Sequence, residues 1–216
     1  MGFVNQHLLK IIIILFSVIL LTVYGVYLLW MADDREKEFY ASHQAIAEQS
    51  AQTVAGEIER VFLQQEKLVT SFLEDNKRLI VTLAESPDSL ELYTKLNDKL
   101  SKYFLYFFST SLASADGKLL IDDFDGYIGD LCVSDMKHYV ATGEHLARLH
   151  PHPKVYHYDV VIKFTSKQKD YLFLVSFSAD AISNMLKLSS SESHELILVQ
   201  KDHSELIEIT PVSYTH

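Results

Sequence analysis

Four histidines, His145, His150, His152 and His157, lie within thirteen residues, and Tyr158 and Asp159 follow directly. Imidazole both donates and accepts hydrogen bonds and is a common transition-metal ligand, so this segment holds the densest chemistry in the chain. Alternation along an extended strand brings His157 and Asp159 to one face. No two of the histidines have the i,i+4 spacing of a helical metal motif, and Pro151 and Pro153 stiffen the segment. The residues are therefore read as the edge of a small-ligand pocket or as turn and capping groups. No metal and no cofactor is assigned to them.

Other candidates are weaker. Asp122-Asp123-Phe124-Asp125-Gly126 resembles part of a calcium loop, but the positions that need an acid or amide first and a Glu twelfth hold Ile121 and Cys132. The aromatic cluster Tyr103, Phe104, Tyr106, Phe107 and Phe108 reads as core under a sheet. Cys132, the single cysteine, reads as a small buried apolar residue, because no adjacent Lys, Arg or His lowers its pKa. It closes no intrachain disulfide, and no zinc-finger spacing occurs. No nucleophile elbow, phosphate loop, HExxH or kinase signature is present, so no enzyme activity is expected. Nineteen Lys+Arg against 29 Asp+Glu in 216 residues give a net charge of −10, which argues against a nucleic-acid partner.

The elements that must position these groups begin with an apolar run. Residues 11–30 carry no charge, and Met31 and Ala32 extend the run to Asp33. At about 1.5 Å per residue this reaches across a hydrocarbon core of about 30 Å. The run exceeds a signal-peptide core and no small-x-small cleavage site follows it, so a transmembrane helix over 11–31 is expected, with a cytoplasmic head at 1–10. Lys10 on one side and Arg35 and Lys37 on the other leave orientation to size, which favours export of the large part.

A proline-free segment, 33–84, predicts one long stalk helix whose seam holds Ala47, Ala51, Val54, Ile58, Val61, Leu68 and Phe72 at heptad steps. Such a seam serves a parallel homodimer or the chain's own domain, and Gly56 weakens it. Ser86-Pro87-Asp88 predicts the start of a second helix over 87–106. Beyond it the period becomes extended. Strands are expected at 106–115 and 118–124 around Asp116-Gly117, then at 155–165 and 171–178, and finally at 195–200 and 206–210. A short helix from Ser134 to Gly143 and another over 179–188 separate them. The order is that of an α+β fold, an antiparallel sheet with helices on one side.

Four stretches carry a resemblance: Gly126–Asp135 (GYIGDLCVSD), His150–Asp159 (HPHPKVYHYD), Tyr171–Phe177 (YLFLVSF) and His194–Thr210 (HELILVQKDHSELIEIT). Together with the anchor and long helix, residues 100–210 resemble the extracytoplasmic Cache (PAS-like) sensor regions of bacterial membrane-bound signalling proteins, such as those with diguanylate cyclase (GGDEF) output domains. The resemblance implies that 86–210 is a sensor domain of an inner-membrane protein, severed from its second membrane helix and output domain. It also favours His150 and His157 over His145 and His152. A pocket of His150, His157, Tyr158 and Asp159, with Asp135 opposite, is then expected to hold a small polar or carboxylate-bearing extracytoplasmic ligand. The alternative is a non-sensing structural or partner-binding module that dimerises through its stalk.

Alkaline phosphatase fused after Thr210 is expected to be active in a bacterial host. Activity from a cytoplasmic reporter alone at the same position would reverse the topology.

Overall fold

The computed structural model describes residues 3–121, 128–146, 148–151, 155–190, 195–201 and 206–210. The Asp122–Gly126 run, His152 and the 202–205 connection lie outside the described residues. The chain divides into two units, Met1–Ala51 and Gln52–His216. Helix α1 spans Phe3–Asp75 and so belongs to both.

In the first unit the apolar run is helical throughout and its side chains are exposed, Leu29 at 74 % and Leu21 at 68 %. A helix apolar on every side has no aqueous face and is suited to lipid. Its polar side chains close internally: Ser17 Oγ donates to the Ile13 carbonyl at 2.9 Å and Thr22 Oγ1 to that of Val18 at 2.8 Å. This is how a helix keeps hydroxyls satisfied in hydrocarbon. α1 thus carries one stretch long and apolar enough to cross a membrane.

The second unit is built on a three-stranded antiparallel sheet of order β1-β3-β2, where β1 is Phe107–Ser114, β2 His157–Ser166 and β3 Lys169–Ser178. The central strand is buried from Leu172 to Ser178, which its near-continuous apolar sequence anticipates. Lys167 and Gln168 make the β2–β3 turn with φ of 48° and 66°. Both sit in the left-handed region that two-residue hairpins need.

Period-two alternation divides the sheet into two faces. Tyr158, Val160, Ile162 and Phe164 of β2, with Phe173, Val175 and Phe177 of β3, join a core with α1 residues Val54, Val69 and Phe72. Helices α2 (Lys77–Glu85), α3 (Leu90–Tyr103) and α5 (Asp180–Ser189) add Ile80, Leu83, Leu96, Leu100, Ile182 and Leu186 to it. On the opposite face Val161, Leu172, Leu174 and Ala113 pack with Met136 of α4, Asp130–Thr142. Helices therefore cover both faces, not one. The short strands β4 (Leu198–Lys201) and β5 (Leu206–Ile209) form a separate antiparallel pair.

Several boundaries depart from expectation. The stalk does not run to 84; α1 ends at Asp75, and Asn76, with φ −112° and ψ 15°, separates it from α2 while Gly56 leaves the helix unbroken. From Val54 onward the heptad seam packs on the chain's own core, with Ile58 and Leu68 against it. α3 starts at Leu90, capped by Ser89, whose Oγ accepts from the Leu92 amide, so Ser86 is not its cap. The Asp116-Gly117 turn forms with Gly117 at φ 79°, but among the described residues 118–121 contribute only an isolated bridge, Leu119 to Ala113. α4 begins at Asp130, four residues before Ser134, and ends as anticipated at Gly143 with φ 75°.

Phe72 is 2 % exposed and its ring meets those of Tyr103, Phe104 and Phe173. Phe72→Ala is expected to cost about 3–5 kcal/mol, read by chemical denaturation of the full chain in mild detergent. A loss below about 1 kcal/mol would mean that α1 does not pack here.

Candidate functional site

The chemistry gathers where α4 meets the start of β2. His150 pairs with His157 in an isolated antiparallel bridge, the His150 amide donating to the His157 carbonyl at 2.7 Å and the His157 amide donating back at 3.2 Å. Directly paired residues of an antiparallel ladder place their side chains on the same face. His150 is held in place by its neighbour: the Leu149 amide donates to Gln200 Oε1 at 2.7 Å and Gln200 Nε2 donates to the Leu149 carbonyl at 2.9 Å. This double bond ties β4 to the segment that carries the histidine.

Asp159, two residues after His157, points to the same face and is 3 % exposed at its side chain. Ser176, opposite it on β3, donates from Oγ to Asp159 Oδ1 at 2.6 Å. Oδ2 is buried without a hydrogen bond and stands 3.2 Å from His150 Nδ1. From α4, one turn apart, come Cys132 and Asp135. Cys132 Sγ lies 3.2 Å from His150 Nδ1 and 3.4 Å from His157 Nε2. Asp135 Oδ2 contacts His150 Nε2 at 2.7 Å and accepts from Arg148 Nε at 3.0 Å, while the Arg148 terminal amine reaches Oδ1.

The electrostatics follow from burial and from two carboxylates. Burial alone would lower the His150 pKa, but Asp135 and Asp159 on either side of the ring raise it to about 11. Burial would raise Asp159, and the His150 and His157 rings with the Ser176 hydroxyl instead hold it below the usual carboxylate range. Burial pushes the Cys132 thiol up, which makes it a poor free nucleophile.

Of the five expected residues, the structure brings His150, His157, Asp159 and Asp135 together. Tyr158 is not among them: it faces the other side of the sheet, with its ring against Phe62 and Phe177. Its hydroxyl is buried without a partner, and burial raises its pKa to about 12. Cys132 was missed as a site residue. It is buried, as expected, but two imidazoles face it from 18 and 25 residues away, which adjacency in the chain does not reveal. Cys132, His150, His157 and Asp159 each offer a ligand-type atom, all within 4.8 Å of one another.

A cavity of about 510 Å³ opens beside this cluster, at the free edge of β2. Ala55, Ile58 and Phe62 of α1, Leu149, Val160 and Ile182 supply most of its apolar wall. Glu59, Glu66, His145, Asp159 and Gln200 are its polar residues. His145 Nε2 stands 3.7 Å from Glu66 Oε1, and burial lowers the pKa of that histidine.

No protein-family model, characterised protein or solved structure matches the chain significantly.

Two substitutions separate the faces of β2. Ser176→Ala removes a buried hydrogen bond to a carboxylate and is expected to cost about 2 kcal/mol. Tyr158→Phe removes an unpartnered buried hydroxyl and is expected to leave stability unchanged or to raise it by up to about 1 kcal/mol. Denaturation followed by near-ultraviolet circular dichroism checks both, and the opposite order would mean that Asp159 is not held as described.

Proposed function

We propose that the chain is the ligand-receiving input module of a membrane-bound signalling protein, of the PAS-like kind, anchored by the apolar part of α1 with the sheet outside the cytoplasm. The observation that carries this reading is the cavity at the edge of β2. Its volume, about 510 Å³, falls among small-molecule sites, and its wall is mostly apolar with a few polar groups at fixed places. Three of the wall residues, Ala55, Ile58 and Phe62, sit on α1, the same helix that carries the membrane-compatible run. An occupant therefore touches the element through which an anchored module would pass a signal.

The cavity's charges select the class of ligand. Glu59 and Glu66 of α1 border it against one histidine, while the Asp159 carboxylate is turned to Ser176 and the His150 ring. Carboxylates repel an acid and attract an amine. A small molecule with an apolar body and an ammonium head fits better than the carboxylate-bearing ligand that the composition of the histidine segment suggests.

A thermal-shift panel of small aliphatic and aromatic amines on the full chain tests the reading. At about 100 times its Kd, a ligand that binds only the folded state adds about 2.7 kcal/mol of stability, and Ala55→Trp should abolish that gain by filling the cavity from the exposed side of α1. If no amine shifts the transition, the non-sensing structural module is the better reading. If Ala55→Trp leaves the gain intact, binding lies elsewhere.

A further inference from the structure

We infer that Cys132, His150, His157 and Asp159 form a four-coordinate site for a divalent transition metal ion of the Zn²⁺ type. This goes beyond the cavity reading and stands without it.

The geometry comes first. Tetrahedral zinc with bonds of about 2.3 Å to sulfur and about 2.0–2.1 Å to nitrogen and oxygen separates neighbouring ligand atoms by about 3.3–3.6 Å. Cys132 Sγ to His150 Nδ1 is 3.2 Å, Cys132 Sγ to His157 Nε2 is 3.4 Å, and His150 Nδ1 to Asp159 Oδ2 is 3.2 Å. All four ligand atoms are within 4.8 Å of one another, so the three short pairs already match a tetrahedral ion and the wider pairs close on it by side-chain shifts of up to about 1.5 Å. Three of the four residues are at most 2 % exposed, and the Asp159 side chain is 3 % exposed.

The surroundings supply a second, independent observation. A metal-bound imidazole usually gives its other ring nitrogen to a carboxylate or carbonyl, which fixes the tautomer and the ring plane. His150 directs Nδ1 into the cluster and Nε2 to Asp135 Oδ2 at 2.7 Å, and Arg148 holds that carboxylate in turn. His157 directs Nε2 into the cluster and Nδ1 toward the Val155 carbonyl at 3.5 Å. Asp159 commits Oδ1 to Ser176 and leaves Oδ2, buried and without a hydrogen bond, facing inward. His150, His157 and Asp159 thus each have one atom turned in and the other directed to a partner outside the cluster.

Charge and donor chemistry identify the ion. A thiolate, two imidazoles and one carboxylate oxygen suit zinc and its neighbours, whereas calcium and magnesium require mostly oxygen. With Cys132 as thiolate, the charges of Cys132, Asp159 and Asp135 are balanced by Arg148 and a dication. Tetrahedral closure by four protein ligands leaves no open position, which marks a structural site rather than a catalytic one. Such an ion joins α4 to β2 and to the segment before it, where the apolar packing of Met136 on Val161, Leu172 and Leu174 is modest.

The untagged full chain in detergent, reduced and stripped with a chelator, is titrated with Co²⁺ and then with Zn²⁺. One Co²⁺ per chain should bind with thiolate-to-cobalt charge transfer and the intense visible bands of a tetrahedral ion, and Zn²⁺ should displace it and raise the melting temperature. Cys132→Ser should lose the charge-transfer band, His157→Ala should weaken binding and lose the intense tetrahedral visible bands, Asp135→Asn should weaken binding about 10–100-fold at unchanged stoichiometry, and His138→Ala on the same helix should behave as wild type. X-ray absorption at the zinc edge of the wild-type chain should show one sulfur among four ligands, a measurement that survives any variant that fails to fold. A zinc edge without sulfur, or cobalt binding indifferent to both Cys132→Ser and His157→Ala, overturns the site. Ala55→Trp should bind metal normally, so failure of the metal site and failure of the amine cavity are read separately.

Discussion

A carboxylate taken out of water must be compensated where it stands, and that constraint organises one whole side of this domain. Asp159 is buried on the α4 face of β2, and Asp135 is buried on the helix above it. Isolated charges in such positions would cost several kcal/mol each. His150 lies between them with one ring nitrogen toward each, and Arg148 closes the far side of Asp135. The loop that carries Arg148 and His150 is therefore not free to take another path. Leu149 between them is locked by the Gln200 side chain, which extends the same constraint to β4.

The sheet makes this arrangement compatible with a hydrophobic core by sending alternate residues to different environments. Tyr158 and Asp159 are neighbours in sequence, yet one is packed among Phe62 and Phe177 while the other is hydrogen-bonded to Ser176. The central strand repeats the division: Phe173, Val175 and Phe177 serve the apolar face, and Ser176 and Ser178 lie toward the polar end of the other. A slip of register by one residue would bury Asp159 against α1 and expose Tyr158 to the histidines. The polar cluster therefore opposes a slipped register together with the apolar core.

Much of this was legible from periodicity. The β2–β3 hairpin and α5 fall close to where turn residues and apolar spacing place them, and alternation alone puts His157 and Asp159 on one face. The same alternation, taken one step further, sends Tyr158 to the other. Cys132 was not legible for a specific reason. Placing the helix start at Ser134 leaves Cys132 in a loop, whereas a start at Asp130, with Gly129 at the N-cap, sets Cys132 and Asp135 three apart on one helical face. What that face meets is decided by packing over 18 and 25 residues of sequence, which no local pattern encodes. The stalk seam shows a different limit: its spacing was legible, but a heptad does not state its partner, and of the two it allowed, Val54, Ile58, Leu68 and Phe72 meet the chain's own core.

The cavity and the histidine cluster share one residue, and this is the structural basis for treating them as neighbours rather than as one site. Asp159 borders the cavity, while its carboxylate is engaged by Ser176 and faces the His150 ring. Val160, the next residue, lines the cavity as part of the apolar core. β2 is the edge strand of the sheet, and beyond its bridge from His157 to His150 its outer side borders the cavity. Anything that fixes Asp159 on the α4 face restrains the backbone that borders the cavity on the other side of the strand.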